Sequence, residues 1–209
     1  MSGDCDQDGV DATVDCDDFD DLLLSSNQDF DCNGFLDIET MSASPSNTCA
    51  IDDGTIRCWG DDTHGQTTPP TGIFKQLSLG GCGSGTATCY TANGIVSDVS
   101  HGCGIDDGND IQCWGSDSYG QSNPPNGIFI QVSAGSSHSC GIRSSGTVQC
   151  WGSDSDGQSN PPNEIFTQVS AGGEHNCGLT SSGSVECWGS DSYGQSSPPS
   201  GSFVNVSTG

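Results

Sequence analysis

Residues 140–172 read CGIRSSGTVQCWGSDSDGQSNPPNEIFTQVSAG, and this stretch decides the fold because the chain repeats it. Trp114, Trp151 and Trp188 stand 37 residues apart, each in a Cys-Trp-Gly triplet followed by a Gly-Gln and a Pro-Pro. A fixed period of this size marks an array of one supersecondary unit, whose units bury their apolar faces on one another.

Within the quoted copy, Ser139–Arg143 and Thr147–Gly152 are short alternating segments around Ser144-Ser145-Gly146, the pattern of a β-hairpin with a short Gly-containing loop. Cys140 and Cys150 lie equally far either side of Ser145, so pairing through the hairpin sets them opposite each other, within disulfide reach. Cys103 and Cys113, and Cys177 and Cys187, keep that separation; Cys49 and Cys58 are one residue closer. One cross-strand disulfide per unit is expected. After the tryptophan come a turn-rich stretch, the Pro161-Pro162 pair that cannot join a ladder from its nitrogens, and a short strand around Ile165–Val169.

Working outward, four units align at 42–77, 78–132, 133–169 and 170–206. Trp59 and Trp114 are 55 apart, so the second unit carries 18 extra residues between Ser78 and Val99. The insert has its own cysteine pair, Cys82 and Cys89, and an Asn93-Gly94 turn signal; it reads as a loop or a decayed hairpin. The expected architecture is all-β: a repeat domain over 41–209, preceded by an acidic segment over 1–40.

The block from His138 to Pro162, HSCGIRSSGTVQCWGSDSDGQSNPP, resembles the repeat of the regulator of chromosome condensation superfamily, especially its secreted bacterial branch. The resemblance covers about 42–209 and rests on the Gly-x-Val, Cys-Trp-Gly and Gly-Gln positions recurring in register. It implies a β-propeller of four-stranded blades. The family ring usually has seven blades, whereas four repeats are present here.

Composition narrows function. Three Lys+Arg face 28 Asp+Glu, a formal charge of −25, which disfavours nucleic acid because phosphate binding relies on basic patches. Thirteen cysteines without a C-x-x-C spacing disfavour zinc ribbons and thioredoxin-like sites and suit an oxidising, extracellular or cell-surface setting. No run approaches the ~18 apolar residues of a membrane span. Residues 1–20 lack a basic start and an apolar stretch, so the chain reads as a mature or trimmed form.

The first 40 residues hold 13 of the acids and no Lys or Arg. Asp4, Asp6, Asp8, Gly9, Val10 and Asp15 follow the spacing D-x-D-x-D-G-x5-D. Alternate carboxylates, a glycine for the tight turn, a backbone carbonyl at Val10 and a closing acid can wrap a calcium ion in oxygen. A second loop offers Asp29, Asp31, Asn33, the Phe35 carbonyl and Asp37, with Asp17 and Asp18 between the two. The stretch resembles thrombospondin type 3 loops and the Asp/Cys-rich metal-binding repeats of bacterial surface proteins. Calcium is therefore the expected cofactor, bound in a stiffening role. Cys5 and Cys16 are expected to pair inside the segment, which leaves Cys32 over.

His101, His138 and His175 recur two residues before the first hairpin cysteine, with Asn47 in that place in the first unit. They either converge on a metal or make a hydrogen bond belonging to the repeat, and the second reading is the expectation. Tyr119 and Tyr193, with His64 and Asp156 in the equivalent slots, sit in variable turn tips suited to a protein or carbohydrate surface. Asn205-Val206-Ser207 is the single glycosylation sequon. No nucleophile, base and acid set stands out, so the chain is read as non-enzymatic. The leading expectation is an extracellular, calcium-stabilised binding or adhesion module. The alternative is a structural subunit of a filament or surface assembly, joined copy to copy through open sheet edges.

Overall fold

A computed structural model describes residues 41–81 and 100–209, with the backbone of 89–91 and 94–96. Among the described residues fourteen strands are formed: β1 (Met41–Ala43), β2 (Asn47–Asp52), β3 (Thr55–Gly60), β4 (Phe74–Gly80), β5 (Cys89–Thr91), β6 (Gly94–Val96), β7 (His101–Asp106), β8 (Ile111–Gly115), β9 (Phe129–Ala134), β10 (His138–Arg143), β11 (Val148–Gly152), β12 (Phe166–Ala171), β13 (His175–Thr180) and β14 (Val185–Gly189). They make four antiparallel three-stranded sheets, β1-β2-β3, β4-β7-β8, β9-β10-β11 and β12-β13-β14, and the small pair β5-β6. The resemblance implied four strands per blade; the described sheets have three.

The hairpins take the expected register. Cys49 pairs with Cys58, Cys103 with Cys113, Cys140 with Cys150 and Cys177 with Cys187 across the ladders. All four pairs are disulfide-bonded, with Cα atoms 4.0 to 4.1 Å apart. In the insert, β5 pairs with β6 and Thr91 lies opposite Gly94, so the hairpin reading holds for its backbone.

The sheets group the chain differently from the sequence cuts. Boundaries after Leu77, Val132 and Val169 fall inside β4, β9 and β12, which pair as whole strands with the hairpin that follows them. A period alone has no phase. Hydrogen bonding supplies it, because antiparallel neighbours joined by a short link pair first.

The middle strand also departs from simple alternation. His138–Ile142 are buried in succession, as are His101–Ile105. The second and third sheets are covered by neighbours on both faces, so their central strands have no solvent side.

The apolar cores accordingly lie between sheets. Cys49 and Ile56 of the first sheet meet Phe74, Leu77, Leu79 and Trp114 of the second. Cys103, Ile105 and Ile111 meet Phe129, Val132 and Trp151, and Cys140 and Ile142 meet Phe166, Val169 and Trp188. Each tryptophan thus covers the sheet before its own. Trp114, Trp151 and Trp188 are 6 to 8% exposed, but Trp59 is 53% exposed. Trp59 lies open because no described sheet precedes the first. Gly115, Gly152 and Gly189 complete the triplet at φ 91 to 99°, a region that favours glycine, and a Cβ on Gly152 would come within 2.7 Å of the Ser137 carbonyl oxygen.

Candidate functional site

The turn after each tryptophan is built by side chains folding back on the backbone. In the third repeat Asp154 accepts from the Ser159 N–H at 3.0 Å and from Asn160 Nδ2 at 2.7 Å. Asp117 does the same with Ser122 and Asn123, and Asp191 with Ser196 and Ser197. Asp62 accepts from the Thr67 N–H, and that bond holds its carboxyl below the usual carboxylate range. The repeat acids at these positions are therefore committed to turn geometry.

A glutamine locks each turn from below. Gln66, Gln121 and Gln158 are fully buried, and their Oε1 atoms accept the backbone N–H of His64, Tyr119 and Asp156 at 2.7 to 2.8 Å. Their main-chain carbonyls accept the indole N–H of the next repeat's tryptophan: Trp114 to Gln66 at 3.0 Å, Trp151 to Gln121 at 2.8 Å and Trp188 to Gln158 at 3.1 Å. One residue thus shapes the tip and joins two sheets. The Gly-Gln recurrence signalled it in the sequence, since a glutamine repeated inside an otherwise polar turn has no reason to recur unless it is used.

The result is a fixed turn carrying a variable side chain. His64, Asp156 and Tyr193 are exposed and Tyr119 is half-buried; Tyr193 is 95% exposed. Tyr193 and Gln195 also border a hollow of about 780 Å³ toward which the inner strands converge at Leu79–Gly81, Ala134–Ser137 and Ala171–His175. Glu174 and His175 are among its titratable groups. Burial raises the Glu174 carboxyl, helped by the nearby Asp156, and burial lowers the His175 imidazole.

The histidines do not meet at a metal. His101 Nε2 lies 2.7 Å from Ser139 Oγ, and His138 Nε2 lies 2.8 Å from Asn176 Oδ1. Asn176 donates its Nδ2 to the Gln158 carbonyl at 2.8 Å, which turns Oδ1 to the imidazole and makes Nε2 the donor. Both rings are fully buried between sheets, and His138 Nδ1 has no hydrogen-bond partner. Burial holds His138 below its ordinary value, and His175 nearby adds to that shift.

The three cations are used locally. Arg57 pairs with Asp52 at 2.7 Å, Lys75 donates to the Asp107 carbonyl at 2.6 Å, and Arg143 stacks on Phe129 while bonding Gln149. No group of three or more His, Cys, Asp or Glu that could hold a metal occurs among the described residues. Asp4, Asp6, Asp8, Val10, Asp15, Asp17, Asp18, Asp29, Asp31, Asn33, Phe35 and Asp37, and the Cys5–Cys16 pair, lie outside the described residues, as does the side-chain pairing of Cys82 with Cys89. Asn205 is exposed, and its Oδ1 accepts from Gln168 Nε2 at 2.7 Å. No helix among the described residues is long and apolar enough to cross a membrane.

No curated protein matches the chain in sequence. Among solved structures, the chain is similar to the CRINKLY WD40 ectodomain of the Arabidopsis thaliana receptor kinase ACR4, at 25% identity and a TM-score of 0.51, over 71% of this chain and 48% of that one. The ectodomain of the Physcomitrella patens receptor kinase CR4 gives 26% identity and a TM-score of 0.54, over 71% of this chain and 40% of that one. Yeast RCC1 (Prp20), solved with Kap60, gives 15% identity and a TM-score of 0.56, over 75% of this chain and 44% of that one, a likeness of fold. The chain spans less than half the length of each. Residues 129–158 and 166–195 match the regulator of chromosome condensation (RCC1) repeat, so the third and fourth repeats carry that family's signature on a propeller-like array.

Proposed function

We propose that the chain is a non-enzymatic extracellular binding module: a disulfide-locked repeat array that presents variable turn tips to a protein or carbohydrate surface. The observation that carries this reading is the contrast inside each turn. The Asp and Gln bonds are the same in repeat after repeat, while the outward residue changes from His64 to Tyr119, Asp156 and Tyr193. A constant scaffold with changing tips is how repeat proteins diversify recognition, and aromatic tips give large contact area at low entropic cost. The likeness to two plant receptor ectodomains supports an extracellular binding role, as do the four disulfides.

The acidic segment completes the proposal. Asp4, Asp6, Asp8, Asp15 and the carbonyl of Val10 would hold one calcium ion, and Asp29, Asp31, Asn33, Asp37 and the carbonyl of Phe35 a second. Together they would stiffen a stretch whose charges otherwise repel.

The test is to probe immobilised chain in calcium with an array of bacterial and plant glycans and a panel of purified surface proteins. Hits that a Tyr119→Ala/Tyr193→Ala variant loses, with its melting temperature unchanged, support the reading. Hits that survive the double substitution move recognition off the turn tips, and no hit in either panel would sink the module.

A further inference from the structure

Among the described sheets, the third places a cation opposite its inner phenylalanine. Arg143 faces Phe129 across the ladder, whereas Asp106 faces Phe74 in the second sheet and Thr180 faces Phe166 in the fourth. The Arg143 guanidinium lies over the Phe129 ring, 4.6 Å from its centroid, and donates Nε to Gln149 Oε1 at 3.1 Å. It also donates Nη2 to the main-chain oxygen of Asn126 at 3.2 Å. Glycine at 127 is what admits it there. Gly127 sits at φ 138°, a region that favours glycine, and a Cβ on it would run into Arg143 Nη1.

The peptide bond under the guanidinium thus joins an asparagine to a glycine. Asn126 is exposed, and among the described residues neither its carboxamide nor the Gly127 N–H makes a hydrogen bond. Other asparagines are tied down: Asn123 donates Nδ2 to Asp117 at 2.6 Å, Asn160 to Asp154 at 2.7 Å and Asn176 to the Gln158 carbonyl at 2.8 Å. At the place matching Asn126-Gly127, the second sheet has Thr71-Gly72 and the fourth has Asn163-Glu164. An asparagine, a following glycine and a cation on their shared peptide therefore meet at the start of the third sheet.

We propose that Asn126 is a self-modification site, converted to aspartate and isoaspartate by attack of the Gly127 nitrogen, with Arg143 as the activating group. Loss of the Gly127 amide proton to solvent base leaves a negative charge shared with the Asn126 main-chain oxygen, the atom to which the guanidinium donates. A donor already aimed where charge develops lowers the cost of forming it. It does so in a chain whose net charge of −25 otherwise opposes a further anion. The nitrogen then bonds to Asn126 Cγ, the Cγ–Nδ2 bond breaks, and Nδ2 leaves as ammonia after taking a proton from water. Water opens the resulting succinimide at either carbonyl. Water is the one co-reactant, and nothing is oxidised or reduced.

The new carboxylate forms beside Arg143. In the isoaspartyl product the main chain is one methylene longer just before Phe129, a fully buried residue of the core between the second and third sheets. The site uses none of the turn-tip residues invoked above, so it stands or falls separately from them.

The test keeps the intact 209-residue chain and its Arg143→Gln variant warm at neutral pH. Residue 126 is followed by peptide mapping, with mass spectrometry that separates aspartate from isoaspartate. Conversion at Asn126 is expected to outrun that at Asn163. It is expected to slow roughly three- to tenfold in Arg143→Gln, the worth of a charge-assisted bond at a half-buried site. A melting curve of the variant checks that its sheets are kept. The second arm needs no substitution: the synthetic peptide NPPNGIF, residues 123–129, holds the same Asn-Gly bond without the guanidinium. Asn126 is expected to convert faster in the folded chain than in this peptide. Equal rates with and without Arg143, or slower conversion in the folded chain than in the peptide, would overturn the proposal.

Discussion

The first and third sheets are copies of one repeat and behave as different objects. In the third, Trp151 covers the second sheet, donates to Gln121 and is 8% exposed. In the first, Trp59 follows the same cysteine, closes the same kind of disulfide hairpin and lies open at 53%. His138 is buried and bonded across a joint, while Asn47, in the same slot, donates to the turn of its own repeat. The repeat thus specifies a hairpin, but the energetic value of its residues is set by the neighbour they meet. In an array whose stability is a sum of unit and joint contributions, identical residues differ in worth by position.

Substitution should expose that difference. The largest effect is expected at the tryptophans: Trp151→Ala removes a buried indole and its hydrogen bond, costing about 3–5 kcal/mol. Trp59→Ala, at an exposed site, should stay within about 0.5 kcal/mol. Urea unfolding followed by far-UV circular dichroism measures both, and equal losses would show that Trp59 is covered in solution. Next come the disulfides. Cys140→Ser with Cys150→Ser should cost roughly 2–4 kcal/mol by freeing the unfolded chain, and Cys49→Ser with Cys58→Ser should cost about the same, because this contribution belongs to the hairpin. Gln121→Ala should cost about 1–3 kcal/mol by leaving the Tyr119 N–H without its buried acceptor. Gln195→Ala, in a half-buried turn, should cost less than half of that.

The smallest effect is a pH dependence. Burial favours the neutral imidazole of His138, so its contribution to stability is whole above its ordinary value of 6.5 and is lost as pH falls below it, when the unfolded chain takes up the proton first. His175 acts in the same sense. Glu174, whose carboxyl is raised by burial, acts in the opposite one. Melting temperatures between pH 7.5 and 5 should therefore fall less steeply for His138→Asn, which installs the first sheet's residue, than for the unsubstituted chain. Parallel slopes would remove His138 as the cause.

Much of this was legible in the sequence. The symmetric placement of Cys140 and Cys150 about Ser145 is enough to align the hairpin, since strands closed by a short loop have one sensible register. The period gave the repeat but not where a sheet begins, because a repeat can be cut at any point. The phase lies in the link lengths, three residues from Ala134 to His138 against thirteen from Gly115 to Phe129. The exposure of Trp59 was not legible either: nothing in a Cys-Trp-Gly triplet says whether another sheet lies beside it. The glutamine turn was visible as a recurrence but not as a joint, since its main-chain carbonyl, the atom that accepts the indole N–H, belongs to every residue alike.

The described disulfides all close within a sheet, and no described disulfide crosses from one sheet to the next. Under tension along the chain, such an array comes apart at its joints while every hairpin keeps its knot. Each yielding repeat then releases roughly 27 residues, about 90 Å of chain, in place of the ~125 Å that a reduced repeat would give. An array built this way lengthens in short, countable steps. The redox state of its surroundings sets the length of each step.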